Sequence, residues 1–593
     1  MQRIFSVILF LFSILYSQTQ HLVTVVSDEE LAQRDKAWFA ENPGLLPIWE
    51  TLEERKARLD RSISVSAGAT YEARRLGPPP APVRNIAEFE PMEGVIIAYP
   101  GNFGIPTKAI KEMSEDALLY CITQNESGAE SIFQSGGVNM DNVVFINART
   151  NSIYTRDFGP WWIANGDDEI CIVDFEYNRN RPEDNKANGV IGSALNVSVY
   201  KMDLRHCGGN YMTDGYGGAA SSKLVIQENG SQSNVEKLHK EYLGIETYHL
   251  LDDPNSTYID HIDCWGKYLA PDKLLIREVP QSNQDYAKLE KVVEYFEGQT
   301  SAYGTPYRIY RVTSTARNEA YTNSLILNGK VMLPLAGSSN DDPALEVYRE
   351  AMPGYEVFGY TYDSFQNTDA YHCRTKGIAD RGMLYIHHLP LHDTVVSIDG
   401  EGYTVEATIK AYSGKNLYTD SLWVFYRPAG QSEFFKVALK KGTGDTYKAV
   451  IPQPEESVEM AYYIHAADES GRSENHPYIG APDPHVYFAE SIGTFADFSN
   501  THVQAVKALR NYPNPVAAQT IIICRLNTVA PDAQLSIYSN NGRLIRIWRL
   551  SQKATDIVWD GADAFGNNVS AGIYFYTVTN GAMVVTKRMQ VIR

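Results

Sequence analysis

Cysteine is scarce in this chain: six in 593 residues, at positions 121, 171, 207, 264, 373 and 524. Their spacing matches no zinc-ligand or dithiol redox pattern, which sets those chemistries aside. Basic charge is also in short supply. Lys and Arg total 53 against 72 Asp and Glu, giving a formal net charge of −19 and an isoelectric point near 5.2. That balance argues against nucleic acid as a partner. Long apolar runs are missing after the first residues, so no transmembrane anchor is expected. EF-hand spacing is absent too; acidic stretches such as Asp252-Asp253-Pro254-Asn255 and Asn340-Asp341-Asp342 leave room for a structural calcium ion and no more.

Packing material is ample, at 44% hydrophobic and 11% aromatic residues. The chain is too long for one domain. Residues 4 to 16 form a short apolar run after Arg3, and small Ser17 offers a cleavage edge, so residues 1–17 read as a secretory signal peptide. Residues 18–78 hold a charged, helix-prone segment starting at Thr51 and then a proline-rich stretch, Pro78-Pro79-Pro80-Ala81-Pro82. They read as a propeptide or N-terminal arm, with a cut conceivable near Arg74-Arg75.

From 79 to 390 strand-like and helix-like patterns alternate, which points to an α/β class. Tyr286, Leu289, Val293 and Phe296 mark one amphipathic helix, and Val235, Leu238 and Tyr242 another. Five times a polar cluster precedes a short apolar run expected to be a strand. The clusters centre on Asp157, Asp214, Asp263, Asn323 and Cys373; the runs are Cys171-Ile172-Val173, Leu224-Val225-Ile226, Leu274-Leu275-Ile276, Val331-Met332-Leu333 and Leu384-Tyr385-Ile386. A recurrence at roughly 50 to 60 residues signals a propeller or array of one supersecondary unit. A closed ring of such units brings all five clusters to one central cavity.

The residue types in those clusters fit the cleavage of a guanidinium. That group is planar, cationic and resonance-stabilised, so attack on its carbon needs paired carboxylates for its N–H groups and a strong nucleophile on its face. Asp157 and Asp263 can form the clamp and Cys373 the nucleophile, its thiolate favoured by the cation it attacks. His261 can protonate departing ammonia and then activate water. His372 adjoins the cysteine, but neighbours on a strand face opposite ways, which favours His261. Blander readings stand beside these: a structural cysteine, a turn aspartate, an asparagine closing a hairpin. The combination at repeating positions favours the sharper reading.

With these residues in place, the segment from about Pro79 to Pro390 resembles the guanidine-modifying (pentein) superfamily, and within it the bacterial secreted, porphyromonad-type peptidylarginine deiminases. The matching motifs are TRDFGPWW at 155, DFEYNRNRP at 174, GGNYMTDGYG at 208, YIDHIDCWGKYLAP at 258, YTNSLILN at 321 and DAYHCRT at 369. The resemblance implies a five-bladed α/β propeller. It implies Cys373 as nucleophile, His261 as general acid/base, Asp157 and Asp263 as guanidinium ligands, and Asn323 as a supporting residue. Tyr258 and Tyr154 would line the pocket, Tyr154 standing where the family pattern has Trp. Catalysis without a required cofactor is expected.

Arg179 and Arg181 alternate by two, so in an extended segment both project from one face and suit a carboxylate. In the family the equivalent pair reads the α-carboxylate of a C-terminal arginine. The expected substrates are therefore peptides or proteins with arginine, yielding citrulline. Agmatine or free arginine is the rival small-molecule class, and a non-catalytic surface adhesin the more distant one.

Residues 391–490 switch to strand patterns alone, exemplified by Leu422, Val424 and Tyr426 alternating with Trp423 and Phe425, as in an immunoglobulin-like sandwich. After a linker at 491–511, residues 512–593 resemble a type IX secretion sorting domain through Tyr512-Pro513-Asn514-Pro515, Trp559-Asp560-Gly561 and the basic end Lys587-Arg588. With the signal peptide, that implies export to the cell surface or medium by the matching secretion machinery.

Overall fold

The computed structural model describes residues 26–59, 74–255, 259–397, 402–490, 506–539, 543–564, 566–580 and 583–592. The expected signal peptide and Tyr258 lie outside them. The chain divides into two units, Met1–Gly493 and Thr494–Arg593.

In the first unit one connection recurs five times. Two strands pair antiparallel, the second leads into a helix, and a third strand returns parallel to it. Trp161–Ala164 pairs with Ile170–Tyr177, and Ala187–Leu195 leads to Val199–His206. The same order links Met212–Thr213, Gly218–Ser222 and Thr247–Leu251; then Gly266–Ala270, Lys273–Glu278 and Arg308–Thr313; then Leu325–Leu327, Lys330–Leu335 and Glu356–Thr361. The fifth set is assembled from both ends of the region: Lys376–Ala379 pairs antiparallel with Met92–Ala98, which pairs parallel with Leu118–Thr123. Middle strands such as Ile170–Tyr177 are buried almost throughout.

A short turn precedes the first strand of every set: Thr155–Phe158, Gly208–Asn210, Ile262–Cys264, residues 320–324, and Tyr371–Arg374. Thr155–Phe158 touches both Tyr371–Arg374 and Gly208–Asn210, and Gly208–Asn210 touches Ile262–Cys264. The repeat thus gathers its polar turns in one place.

Two expected strands are corrected. Leu224-Val225-Ile226 lies in a helix, Leu224–Asn229, and the strand of that set is Gly218–Ser222, whose small residues give no apolar signal. Leu384-Tyr385-Ile386 is a strand, but Leu384–His387 pairs with Tyr403–Ala411 of the following sandwich. Local apolarity proposes a strand; tertiary pairing chooses its partner.

The sandwich has one sheet around Tyr403–Ala411 and another around Val458–Ala467, with Ile409, Val424, Ile464 and Tyr487 in a shared core. Lys273 to Asp483 (2.6 Å), Arg472 to Asp380 (2.6 Å) and Tyr216 Oη to His476 Nε2 (2.6 Å) tie it to the α/β region. The second unit is two sheets, 506–512/520–526/554–559 and 544–549/534–539/572–580/583–591, over a core that includes Leu535, Trp559 and Val578. Among the described residues no helix is long and apolar enough to cross a membrane.

Residues 28–59 form two helices, Asp28–Glu41 and Leu52–Leu59. The second opens on a capping box: Thr51 Oγ1 accepts from Glu54 N (3.2 Å), and the Glu54 carboxylate accepts from Thr51 N (2.8 Å). Leu31, Trp38, Leu45, Ile48 and Trp49 share one core cluster with Ile153, Tyr154, Tyr321 and Cys373. Arg74–Leu76, containing the suggested cut, is hydrogen-bonded in parallel to Val199–Lys201.

Candidate functional site

Cys373 is fully buried on the helical turn Tyr371–Arg374. Neither Cys373 nor His372 is therefore a strand residue, and the strand-face argument against His372 does not apply. Asn323 holds the turn from three directions. Its Oδ1 accepts from the backbone N–H of Ala370 (2.9 Å) and of Cys373 (3.2 Å), its Nδ2 lies 3.1 Å from Cys373 Sγ, and its carbonyl accepts from His372 N (3.0 Å). The thiol donates to Asp263 Oδ2 at 3.4 Å.

Asp263 Oδ2 also faces His372 Nδ1 at 2.7 Å, and His372 Nε2 faces Glu88 Oε2 at 2.8 Å. Only an imidazolium can donate to both carboxylates. Burial and the Arg156 and Lys267 cations press its pKa the other way. Glu88 additionally accepts from Lys267 Nζ (2.9 Å) and Ile326 N (2.9 Å) and pairs with Arg156 (3.3 Å). Burial pushes the Asp263 carboxyl up, but the His372 hydrogen bond and the surrounding groups outweigh it and leave the acid below its ordinary value.

Asp157 differs. It is 1% exposed, and no N–H or O–H donates to either carboxylate oxygen, beside which lie the Cys207 thiol and the His261 ring. Burial, reinforced by the Asp263 charge, pushes its pKa up to about 7. His261 is fully buried, with Nδ1 3.9 Å from Asp157 Oδ1 and Nε2 unpartnered. Burial draws its pKa down to about 3, so it rests neutral. Burial first, then Asp263, Asp157 and Asp369, hold the Cys373 thiol well above its ordinary value.

Gly209 marks where these groups converge. A Cβ there would lie 2.6 Å from Asp157 Oδ1, 2.9 Å from His261 Nδ1 and 3.0 Å from Asp263 Oδ2. Its missing side chain lets the turn approach two carboxylates and an imidazole closely. Asp157, Cys207 and His261 also offer ligand atoms within 4.8 Å of one another and could hold a metal ion. None of the six cysteines is in a disulfide. In the acidic runs weighed for calcium, Asp341 accepts from the backbone N–H of Ala336, Gly337 and Ser338, and Asp252 pairs with Lys223.

Asp157, His261, Asp263, Asn323 and Cys373 are thus brought together, with Tyr154 buried nearby. Arg179 and Arg181 turn together toward residues 46–54: Arg181 Nε meets Glu54 Oε1 at 2.8 Å, Arg179 Nε donates to Ile48 O at 3.4 Å, and Tyr154 Oη donates to Leu46 O at 3.3 Å. Sequence reasoning missed Glu88, an acidic residue 284 positions from His372 with no motif around it. It also left Gly209 without a role, although Gly208-Gly209-Asn210 stood out as a cluster. Asp214, a marker of the repeat, closes a turn by accepting from the backbone N–H of Tyr216 and Gly218.

Residues 84–378 match the family of Porphyromonas-type peptidyl-arginine deiminase, and residues 510–592 the secretion system C-terminal sorting domain. A Vibrio parahaemolyticus protein whose name provisionally makes it an agmatine deiminase is 22% identical over 330 residues, 46% of this chain and 89% of that relative. Among solved structures, the agmatine deiminase of Enterococcus faecalis aligns at 20% identity with a TM-score of 0.47, covering 52% of this chain and 99% of its own. A Porphyromonas gingivalis structure, provisionally named an arginine deiminase, aligns at 19% with a TM-score of 0.45, covering 50% and 98%.

Proposed function

Residues 84–378 belong to the Porphyromonas-type peptidyl-arginine deiminase family and residues 510–592 are a type IX secretion sorting domain; from that premise we propose that the protein is an exported deiminase converting peptidyl-arginine, preferentially at a C-terminus, to citrulline and ammonia. The supporting observation is Asp157, a buried carboxylate that receives no N–H or O–H donor, set beside Gly209 and His261 in the same cluster as the Cys373 nucleophile. An unpaired buried charge is costly, and a guanidinium supplies the missing counter-ion and donors.

In this reading the guanidinium lies between Asp157 and Asp263. Its positive charge offsets the carboxylates that disfavour the thiolate, so as substrate arrives the Cys373 thiol passes its proton to neutral His261 and the thiolate adds to the guanidinium carbon. His261 delivers the proton with which ammonia departs, leaving a thiouronium on Cys373. The neutral imidazole then takes a proton from water, which attacks the same carbon and releases the cysteine. Asn323 and the His372–Glu88 pair orient the nucleophile and Asp263 without touching substrate.

The five repeated sets are read as blades of a propeller around this pocket, the sandwich as immunoglobulin-like, residues 1–17 as a removable signal, and calcium as dispensable. Relatives named as agmatine deiminases favour a second reading, a small-molecule substrate; Arg179 and Arg181 weigh against it, since agmatine has no carboxylate for them. The deciding experiment is citrulline release, with and without chelator, from a peptide ending in arginine, its amidated form, an internal-arginine peptide and agmatine, with Cys373→Ala as blank. Preference for the free terminal arginine supports the proposal. Preference for agmatine overturns the substrate assignment, and silence toward all four overturns the enzyme.

A further inference from the structure

The Arg181 side chain is fully sheltered, and this chain's own N-terminal segment lies against it. Its Nε meets Glu54 Oε1 at 2.8 Å and its Nη2 meets Glu54 Oε2 at 3.4 Å; Nη2 also donates to the carbonyls of Pro47 (2.5 Å) and Trp49 (3.1 Å). Arg179 and Tyr154 donate to Ile48 and Leu46 of the same stretch. Both arginines that would read a substrate's carboxylate thus face a carboxylate and backbone carbonyls already in place. We infer that residues 45–54 are an intramolecular occupant of the substrate-carboxylate site and hold the enzyme latent, Glu54 standing where the α-carboxylate of a peptide's terminal arginine would bind. This rests on the peptidyl-arginine reading of that site.

The segment is built to keep that position. Trp38 Nε1 donates to Leu45 O (2.6 Å), while Asp35 accepts from Trp49 Nε1 (2.8 Å) and Leu52 N (2.7 Å), so the helix Asp28–Glu41 anchors both ends of the occupying stretch. Trp38 and Trp49 pack edge to face at 5.4 Å. Helix capping explains only half of Glu54: the capping box needs one acceptor for Thr51 N, and the carboxylate's other oxygen is free to meet Arg181. Two features keep the occupant displaceable. Arg181 Nη1 stays buried with no partner, so the fit is incomplete. Glu54 also reaches Arg181 from the side of a helix rather than as a chain end, and delivers no guanidinium to Asp157.

Latency of this kind is competitive: a closed form favoured about tenfold raises the apparent KM about tenfold and leaves kcat unchanged. The test compares the full chain with Glu54→Gln, which keeps the capping box but removes the charge, and with Trp49→Ala, which loosens the anchor. Two quantities are read. One is citrulline formation from a short peptide ending in arginine; the other, by mass spectrometry, is alkylation of Cys373 by an ornithine-derived chloroacetamidine with a free carboxylate. The expected result is a KM lowered about tenfold in Glu54→Gln with kcat held, faster labelling in both variants, and inhibition in trans by a synthetic peptide of residues 45–59. Unchanged KM and labelling in both variants, with circular dichroism like the parent's, overturns the latency. Faster labelling without citrulline keeps the latency and overturns the deiminase reading; citrulline at one KM in all three chains does the reverse.

Discussion

Asp157 pays for its function in stability. Its folded pKa of about 7 exceeds that of a free carboxyl, so between roughly pH 4 and 7 the folded chain binds the extra proton and stability falls as pH rises through that window. The shift corresponds to a penalty on the order of 4 kcal/mol at pH 8. Asp157→Asn, which imitates the protonated acid, is expected to raise Tm at pH 8, leave it nearly unchanged at pH 5, and abolish citrulline formation; calorimetry at the two pH values checks the sign. For the same reason kcat/KM for a cationic substrate should fall as pH drops below about 7. Asn323→Ala should lower kcat about 100-fold with a smaller change in KM, because it displaces the nucleophile without removing a guanidinium ligand. Asp157, His261, Asp263, Asn323 and Cys373 were legible in the sequence as a set, through their recurrence along the chain and the motifs around them. Glu88 was not: an isolated glutamate acquires meaning only beside Lys267, Arg156 and His372.

At the scale of elements, the turns before the first strands carry the site and the strands merely hold them. Gly208–Asn210 shows how tightly: Asn210 Oδ1 accepts from Ser222 N (2.9 Å) and Ile262 N (3.3 Å), linking its turn to the next set. Gly209→Ala should keep its circular dichroism yet lose substrate binding, since the added methyl presses on Asp157, His261 and Asp263 and pushes them apart. Glu88→Ala works in the opposite sense. It strands buried Lys267, Arg156 and His372 without their shared carboxylate and should destabilise the first unit by about 3 kcal/mol in denaturant titration. The helices Gln232–Leu243 and Tyr286–Glu297 were readable from apolar spacing. Gly218–Ser222 was not, because a strand of glycine, alanine and serine is defined by what encloses it.

For the whole molecule, the division after Gly493 predicts two calorimetric transitions. Asp483→Ala should lower only the one belonging to the first unit, by about 1–3 kcal/mol, since it leaves Lys273 buried with Ala351 O as its remaining partner. The sandwich borrows Leu384–His387 from the end of the α/β region, so the two are not independent parts. By itself the sequence determined the class of the central region, its repeat and the sorting domain, and it singled out Asp157, His261, Asp263, Asn323 and Cys373, because each depends on residue type and order along the chain. Only the tertiary structure decided which strands pair, that Glu88 and His372 brace Asp263, and that the N-terminal segment lies on Arg179 and Arg181. Those are contacts between positions up to 287 residues apart, fixed by burial and charge pairing that no local pattern encodes.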